Sequence, residues 1–427
     1  MRHDSPLVVS TSLHHHRLAN GLEAWLWHDP GNPVAAHLSF FRVGSRNETP
    51  GRTGLAHFLE HMMFKGSRRH PEGAFDALLT SAGGSNNAWT SNDLTVYIDE
   101  FPLSAWETVL DLESDRLLGL VLAPDSLERE RAVVLSERRL SVDDDPLAFF
   151  FEQAQLIAEA GSPYAHPVIG WPEDIAGWSG EDVLTFYRRH YRPGNCVLVT
   201  AGGLDPERWR VGLDHHYGPL PEPSEPAPAA PPSPPPAAGT RSYSLERPAE
   251  SAAVALGLPF PAAGDGSGEA ALALLTTLLA GGESARLHDR LVAAEALATD
   301  VAVFTVGRLG PGRLWIQALA TSPRRLGRLE HRLLEECERF ASEGPQDDEL
   351  ARARRLVAVG HHRRLATTAG RARLLGQSAL LAGDERLVRD WIDRVQAVSA
   401  REITDLFAAS LASPGRTLAR LVPVGGP

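Results

Sequence analysis

Two histidines and a glutamate within one short segment carry the first sign of chemistry. In Gly54-Leu55-Ala56-His57-Phe58-Leu59-Glu60-His61-Met62-Met63-Phe64 the histidines stand four apart, so on a helix their imidazoles leave one face about a turn apart and can grip one cation. Glu60, at about 100° per residue, lies roughly 80° from their midline, close enough to touch a water on that cation without binding the cation itself. Cation, water and carboxylate together make a hydrolytic site. The order His-x-x-Glu-His mirrors the more familiar His-Glu-x-x-His and leaves the same roles available. The plain alternative is a helix whose histidines and glutamate pair locally at the surface.

A hydrolytic zinc site takes three protein ligands and keeps one position open, so a third ligand must come from elsewhere in the chain. The segment Glu128-Arg129-Glu130-Arg131-Ala132-Val133-Val134-Leu135-Ser136-Glu137-Arg138-Arg139 offers Glu130 and Glu137, seven apart and hence on one helix face, two turns from each other. Runs of mixed charge are usually a solvated face, and spacing alone does not choose between the two carboxylates.

The wider phrasing settles more. His57-Phe58-Leu59-Glu60-His61, with Glu137 76 residues beyond His61, resembles the inverted zinc-peptidase signature of the insulinase/pitrilysin family. Gly54-Leu55-Ala56, Met63-Phe64-Lys65-Gly66, and Glu130 through Glu137 and on to Asp144-Asp145-Pro146 resemble the family's matching segments. The resemblance implies that His57, His61 and Glu137 bind one zinc ion per chain, that Glu60 is the general base, and that Glu130 is an accessory catalytic carboxylate. Asn87-Ala88-Trp89-Thr90-Ser91-Asn92-Asp93-Leu94-Thr95-Val96-Tyr97 resembles the family's Asn-Ala-x-Thr-x-x-Asp-x-Thr-x-Tyr strand and implies Asn87, Ala88, Trp89 and Thr90 as substrate-binding residues. An edge strand beside a metal offers unpaired N–H and C=O groups to an extended peptide. The implied activity is a zinc-dependent endopeptidase that hydrolyses short or unfolded peptides in an enclosed chamber, with precursor-peptide processing as one candidate task.

One part of that pattern is missing. Gly281-Gly282-Glu283-Ser284-Ala285-Arg286-Leu287-His288-Asp289-Arg290-Leu291 resembles the family's Ser-Arg-Leu helix, which carries an arginine further along and a tyrosine seven residues after it. Val292 and Thr299 stand at those positions. Valine has no donor for a substrate carbonyl, and threonine is too short to replace a phenol. The resemblance therefore implies a heterodimer whose related partner subunit supplies the arginine and tyrosine, ahead of a homodimer. The rival expectation is a non-hydrolytic assembly or scaffold subunit like the respiratory-complex core proteins, against which the intact His57, Glu60, His61 and Glu137 speak.

The elements that must position these residues follow from periodicity. Residues 16–29 read as strand, Asn20-Gly21 turn, strand, and 35–43 as a further strand. Residues 54–64 and 73–82 read as helices, 87–98 as one alternating strand, 104–118 and 125–141 as amphipathic helices, and 196–201 as a strand. After a proline-rich tract a similar order recurs: strands at 252–258, 299–307 and 313–320, helices at 268–279, 284–294, 323–343 and 346–365. The expected fold is α+β, two similar sandwich-like domains in a clamshell: residues 1–218 with the metal site, a linker at 219–240, and residues 241–427 without one. His14-His15-His16, His215-His216 and His361-His362 lack ligand spacing, the loop Pro163-Tyr164-Ala165-His166-Pro167 reads as structural, and no phosphate-binding glycine loop occurs.

Composition bounds the rest. The 427 residues, 43% hydrophobic and 22% charged, are ordinary globular material and too many for one domain. A formal charge of −12 repels nucleic acid and anionic membranes. Two cysteines, Cys196 and Cys337, make no disulfide framework. With no apolar leader in Met1–Val9 and no run of about 18 apolar residues, the expected setting is cytoplasmic. Of 42 basic residues one alone, Lys65, is lysine.

Overall fold

The computed structural model describes residues 11–221, 239–262, 267–381 and 386–424. The N-terminal segment Met1–Val9 and most of the proline-rich tract, residues 222–238, lie outside them. The chain forms two compact units: one draws on Met1–Leu135, His166–Pro231 and Arg363–Leu380, the other on Ser136–Ala165, Pro232–His362 and Leu381–Pro427. Each unit thus takes one segment from the far side of the proline-rich tract.

The first unit is built on a six-stranded sheet of β1 (Ser12–Arg17), β2 (Glu23–His28), β3 (Val34–Phe41), β4 (Ser85–Thr90), β5 (Thr95–Pro102) and β6 (Cys196–Gly202), in the order β1-β2-β6-β3-β5-β4. β2 and β6 are parallel and every other pair is antiparallel. Leu22, Ala24, Leu26, Phe41, Tyr97, Phe101 and Leu198 share a core with helices α1 (Leu55–Met62), α2 (Ala74–Ser81), α3 (Trp106–Gly119) and α4 (Pro124–Arg138). Helix Thr368–Leu381 belongs to this unit too: a Cβ on Gly376 would fall 2.2 Å from the Phe40 ring, Arg371 pairs with Asp29 at 2.5 Å, and the Arg373 guanidinium sits 4.1 Å from the Trp89 ring centroid. That glycine is required by close approach rather than by backbone conformation.

The expectation of a single strand over 87–98 is corrected here. Ser91-Asn92-Asp93-Leu94 is a turn closed by the Ser91 N–H donating to the Leu94 carbonyl at 2.8 Å, while the Ser91 hydroxyl accepts from the Asp93 and Leu94 N–H groups. Ser, Asn and Asp side chains compete for backbone partners and favour turns. The segment therefore folds back as the hairpin β4–β5 and leaves β4 at the sheet edge.

The second unit repeats the plan. Strands β7 (Arg241–Arg247), β8 (Ala253–Ala262), β9 (Ala298–Val306), β10 (Pro311–Ala320) and β11 (Thr417–Pro423) order as β7-β11-β8-β10-β9, with β7 and β11 parallel. This is the order β2-β6-β3-β5-β4 of the first sheet, so the recurrence read from the sequence is a repeated topology. Leu256, Leu258, Leu314 and Ile316 pack with helices Ser267–Ala280, Leu326–Glu343 and Ala400–Ala412. Helix α5 (Pro146–Ala158) buries Phe150, Ala154 and Ala158 against Ala255, Trp315, Ala419 and Leu421. Its ends are held by opposite chemistry: Asp145 accepts from the Leu147 and Ala148 N–H groups, while Arg241 and Arg313 donate to the Ala158 carbonyl, matching the helix dipole.

His37, buried in β3, gives the fold an acid sensitivity. Its Nδ1 lies 2.9 Å from the Thr200 hydroxyl and its ring packs edge-on to Trp106. Burial, above all, pushes its pKa from 6.5 down to about 4. Above pH 6.5 the imidazole is neutral in both folded and unfolded chains. Between 6.5 and 4 only the unfolded chain takes the proton, so stability falls as the pH drops through that window, by about 1.4 kcal/mol per unit, and levels off below it. Urea unfolding at pH 7, 5.5 and 4.5 will show a shallower decline for His37→Gln than for the parent chain; equal slopes refute the assignment.

Candidate metal centre

Helix α1 begins under tight local constraint. Gly54 has φ +87, and its N–H and that of Ala56 donate to the buried Glu48 carboxylate at 2.8 and 2.7 Å, which satisfies the first turn. A Cβ on Gly54 would meet the Ile169 carbonyl at 2.5 Å, and one on Gly170 would meet the Gly54 Cα at 2.6 Å. The two glycines cross, and the segment around Gly170 clamps the helix start. Leu55, Phe58, Leu59 and Met62 face the core, so His57, Glu60 and His61 take the other side.

Helix α4 carries Glu137, the third expected ligand. Leu127 and Val134 sit in the first core. Arg131 stacks 4.3 Å from the Trp178 ring centroid and donates to the Trp178 carbonyl at 3.0 Å, and Ser126 donates to Glu72 at 2.7 Å. The boundary between the units passes through the last turn of this one continuous helix, where Glu137 lies. One ligand atom from each of His57, His61 and Glu137 lies within 4.8 Å of the others.

That spacing fits zinc. Ligands about 2.0–2.1 Å from a tetrahedral ion stand roughly 3.4 Å apart, so small side-chain rotations close the set, and two imidazoles with one carboxylate are an ordinary donor set for a zinc site with an open position. The His57 and His61 rings stand 4.8 Å apart at 64°. Burial and then the neighbouring His61 push His57 down to about 4, so at neutral pH it presents a lone pair rather than a charge. Among the described residues His57, His61 and Glu137 are the only group that could hold a metal ion.

The carboxylates take different places. Glu60 Oε2 accepts from the Thr90 hydroxyl at 2.6 Å, which ties α1 to the edge strand β4. Glu130 is 5% exposed, with one oxygen 2.9 Å from His61 Nδ1 and the other 2.7 Å from the Lys65 ammonium. The His61 hydrogen bond, working with Lys65 against burial, holds Glu130 below the usual carboxylate range. With Glu130 accepting, His61 Nδ1 carries the proton, which leaves Nε2 as the nitrogen that could take a metal.

Along β4 the residues alternate. Ala88 packs towards the core beside α1, and Thr90 bonds Glu60. Trp89 lies on the other face against Phe40 and Arg373. Asn87 accepts from the Ala88 N–H at 2.8 Å through its own side chain. In the second unit Val292 packs against the core, and Thr299 is exposed on β9 with its hydroxyl 3.4 Å from the Leu319 carbonyl. Sequence reasoning assigned no role to Lys65 or Glu48; Lys65 was marked only by its place in Met63-Phe64-Lys65-Gly66 and by being the only lysine, and Glu48 gave no signal.

Two α/β units of repeated topology, with His57, His61 and Glu137 close enough to hold one metal ion, fit a metallopeptidase-like chain. Comparison with known proteins makes it specific. A family profile described as insulinase (peptidase family M16) matches residues 25–170, and one described as the peptidase M16 inactive domain matches residues 177–357. The chain belongs to peptidase family M16, the insulinase family. Zinc protease PqqE of Helicobacter pylori is 31% identical over 260 residues, 61% of this chain and 59% of that protein. An uncharacterized zinc protease of Streptomyces coelicolor is 28% identical over 84% of this chain and 79% of its own. The mitochondrial-processing peptidase β subunit of Lentinula edodes is 31% identical over 49% of this chain and 45% of its own. The chain thus matches less than two thirds of the length of the Helicobacter and Lentinula relatives. In fold, a protease from Helicobacter pylori matches 97% of this chain and 100% of its own with TM-score 0.92 at 24% identity.

Proposed function

We propose that this chain is a zinc-dependent endopeptidase acting on short or unfolded peptides, and the metal-bearing subunit of a heterodimer. The observation that carries the reading is the convergence of His57, His61 and Glu137 on one point, with Glu60 on the same helix as the two histidines. Zinc held there supplies a Lewis acid and an acidified water. Glu60 takes the proton from the attacking water and returns it to the departing amine. Thr90 orients Glu60, Glu130 orients His61, and the outer side of β4 offers backbone groups to an extended peptide once the Asn87 side chain yields the Ala88 N–H.

The partner is inferred from Val292 and Thr299, which cannot supply a guanidinium and a phenol, and from a relative whose name makes it one subunit of a processing peptidase. Trimming of a precursor peptide suits such an assembly. A cytoplasmic setting fits Cys196 and Cys337, both buried and neither in a disulfide.

The test is metal titration followed by cleavage of a quenched peptide. We expect about one zinc per chain, hydrolysis that is lost on chelation and returns with zinc, and a rate raised by a related subunit carrying the arginine and tyrosine. A purified chain that takes up no metal would favour the alternative, a non-hydrolytic assembly subunit. A chain as active alone as with the related subunit removes the heterodimer.

A further inference from the structure

Lys65 follows α1 in a tight turn, its N–H donating to the Met62 carbonyl at 2.9 Å. It is the one lysine among 42 basic residues, so a composition that elsewhere places arginine has kept an ammonium here. Its ammonium pairs with the Glu130 carboxylate: Nζ to Oε2 is 2.7 Å, while Oε1 of the same carboxylate is 2.9 Å from His61 Nδ1. Glu130 is buried and belongs to α4, the helix whose last turn holds Glu137. One carboxylate therefore joins the turn after α1, a ligand of the metal centre and the helix bearing another ligand.

We infer that Lys65 is a positioning residue for the metal centre. Its ammonium engages one oxygen of Glu130, so that the other accepts from His61 Nδ1–H and turns Nε2 towards His57 and Glu137. The reading rests on the proposed metal site, but its geometry belongs to the chain without metal. An ammonium suits the task because it is a compact point charge that binds one oxygen. A guanidinium presents a planar fork that takes both carboxylate oxygens at once, and at this position it would compete with His61 for Oε1. Arginine therefore conserves the charge and loses the function.

The experiment compares the full chain with Lys65→Met and Lys65→Arg in two readouts. In the zinc-free protein, 15N spectra of the imidazoles report the His61 tautomer. We expect the Nδ1–H form in the parent chain and a mixture of forms in both variants. In metal-buffered zinc titrations, both variants should bind 10–100-fold more weakly, the range found when a partner of a ligand is lost. Because Lys65 is the only lysine, the folded parent chain supplies a second route that does not depend on variants folding. Reductive methylation, which keeps the charge, should preserve most zinc affinity, and acetylation should lose it, with Lys65→Arg as the control for the terminal amine. Zinc affinity within twofold of the parent for Lys65→Met, or for the acetylated chain, overturns the inference, as does full affinity in Lys65→Arg. A parent chain that binds no zinc removes the metal reading instead, and the tautomer measurement then decides the role of Lys65 alone.

Discussion

Glu60→Gln is expected to leave zinc bound and to lower peptide hydrolysis by 10²–10⁴-fold, the usual worth of a positioned general base. The substitution isolates the base because Glu60 lies outside the ligand set of His57, His61 and Glu137. Its shape survives as well: the amide oxygen of glutamine can still accept from the Thr90 hydroxyl, which holds the native carboxylate at 2.6 Å, so the link from α1 to β4 persists. What disappears is the ability to take a proton. Glu137→Gln is the contrast, since it weakens the ligand set itself and should lower zinc affinity and activity together. Zinc content measured beside kcat/KM distinguishes the two. Hydrolysis within about tenfold of the parent in a zinc-loaded Glu60→Gln chain would remove Glu60 from the mechanism.

The place of Glu60 beside the two histidines was legible in the residues because side-chain directions on a helix follow helical geometry. A four-residue step places two imidazoles together whatever surrounds them. The choice of Glu137 as the expected third ligand came only from the wider resemblance, since Glu130 and Glu137 share a face of α4 and periodicity treats them alike. The structure separates them by what each meets: His61 Nδ1 and Lys65 for the first, the ligand cluster for the second. Strand order in the two sheets was hidden, as was the exchange by which residues 136–165 and 363–380 join units across the proline-rich tract. Both depend on long-range packing, such as Gly376 on Phe40, that no local pattern encodes. The turn at Ser91-Asn92-Asp93 was encoded, but the surrounding alternation of apolar residues masked it.

The deepest feature of the first unit was the least legible. Glu113 and Arg116, three apart on α3, have the spacing that on an exposed helix is worth a few tenths of a kcal/mol, but in the structure both are buried. The Arg116 guanidinium lies 4.3, 4.6 and 5.1 Å from the ring centroids of Tyr97, Phe75 and Phe64, and Glu113 accepts from Ser39 at 2.9 Å. Burial first, and the Glu113 charge second, raise Asp99 well above the carboxylate range. For Glu113 burial pulls upward, but Arg116 and the neighbouring hydrogen bonds outweigh it and hold it ionised. Asp99 is thus pushed towards its neutral form and Glu113 towards its charged form beside Arg116. Arg116→Met strands the Glu113 carboxylate in an apolar setting and should cost about 3–5 kcal/mol, read as a fall in the urea midpoint followed by tryptophan fluorescence. Adding Glu113→Gln removes the stranded charge, so the double variant should be more stable than Arg116→Met alone, a coupling that independent sites do not show. Losses that simply add would mean that the two charges do not depend on each other. Because Phe64 follows α1 and the Tyr97 hydroxyl lies 3.3 Å from that of Tyr191, the same variant should loosen the floor beneath the metal helix and weaken zinc binding, although it touches no ligand.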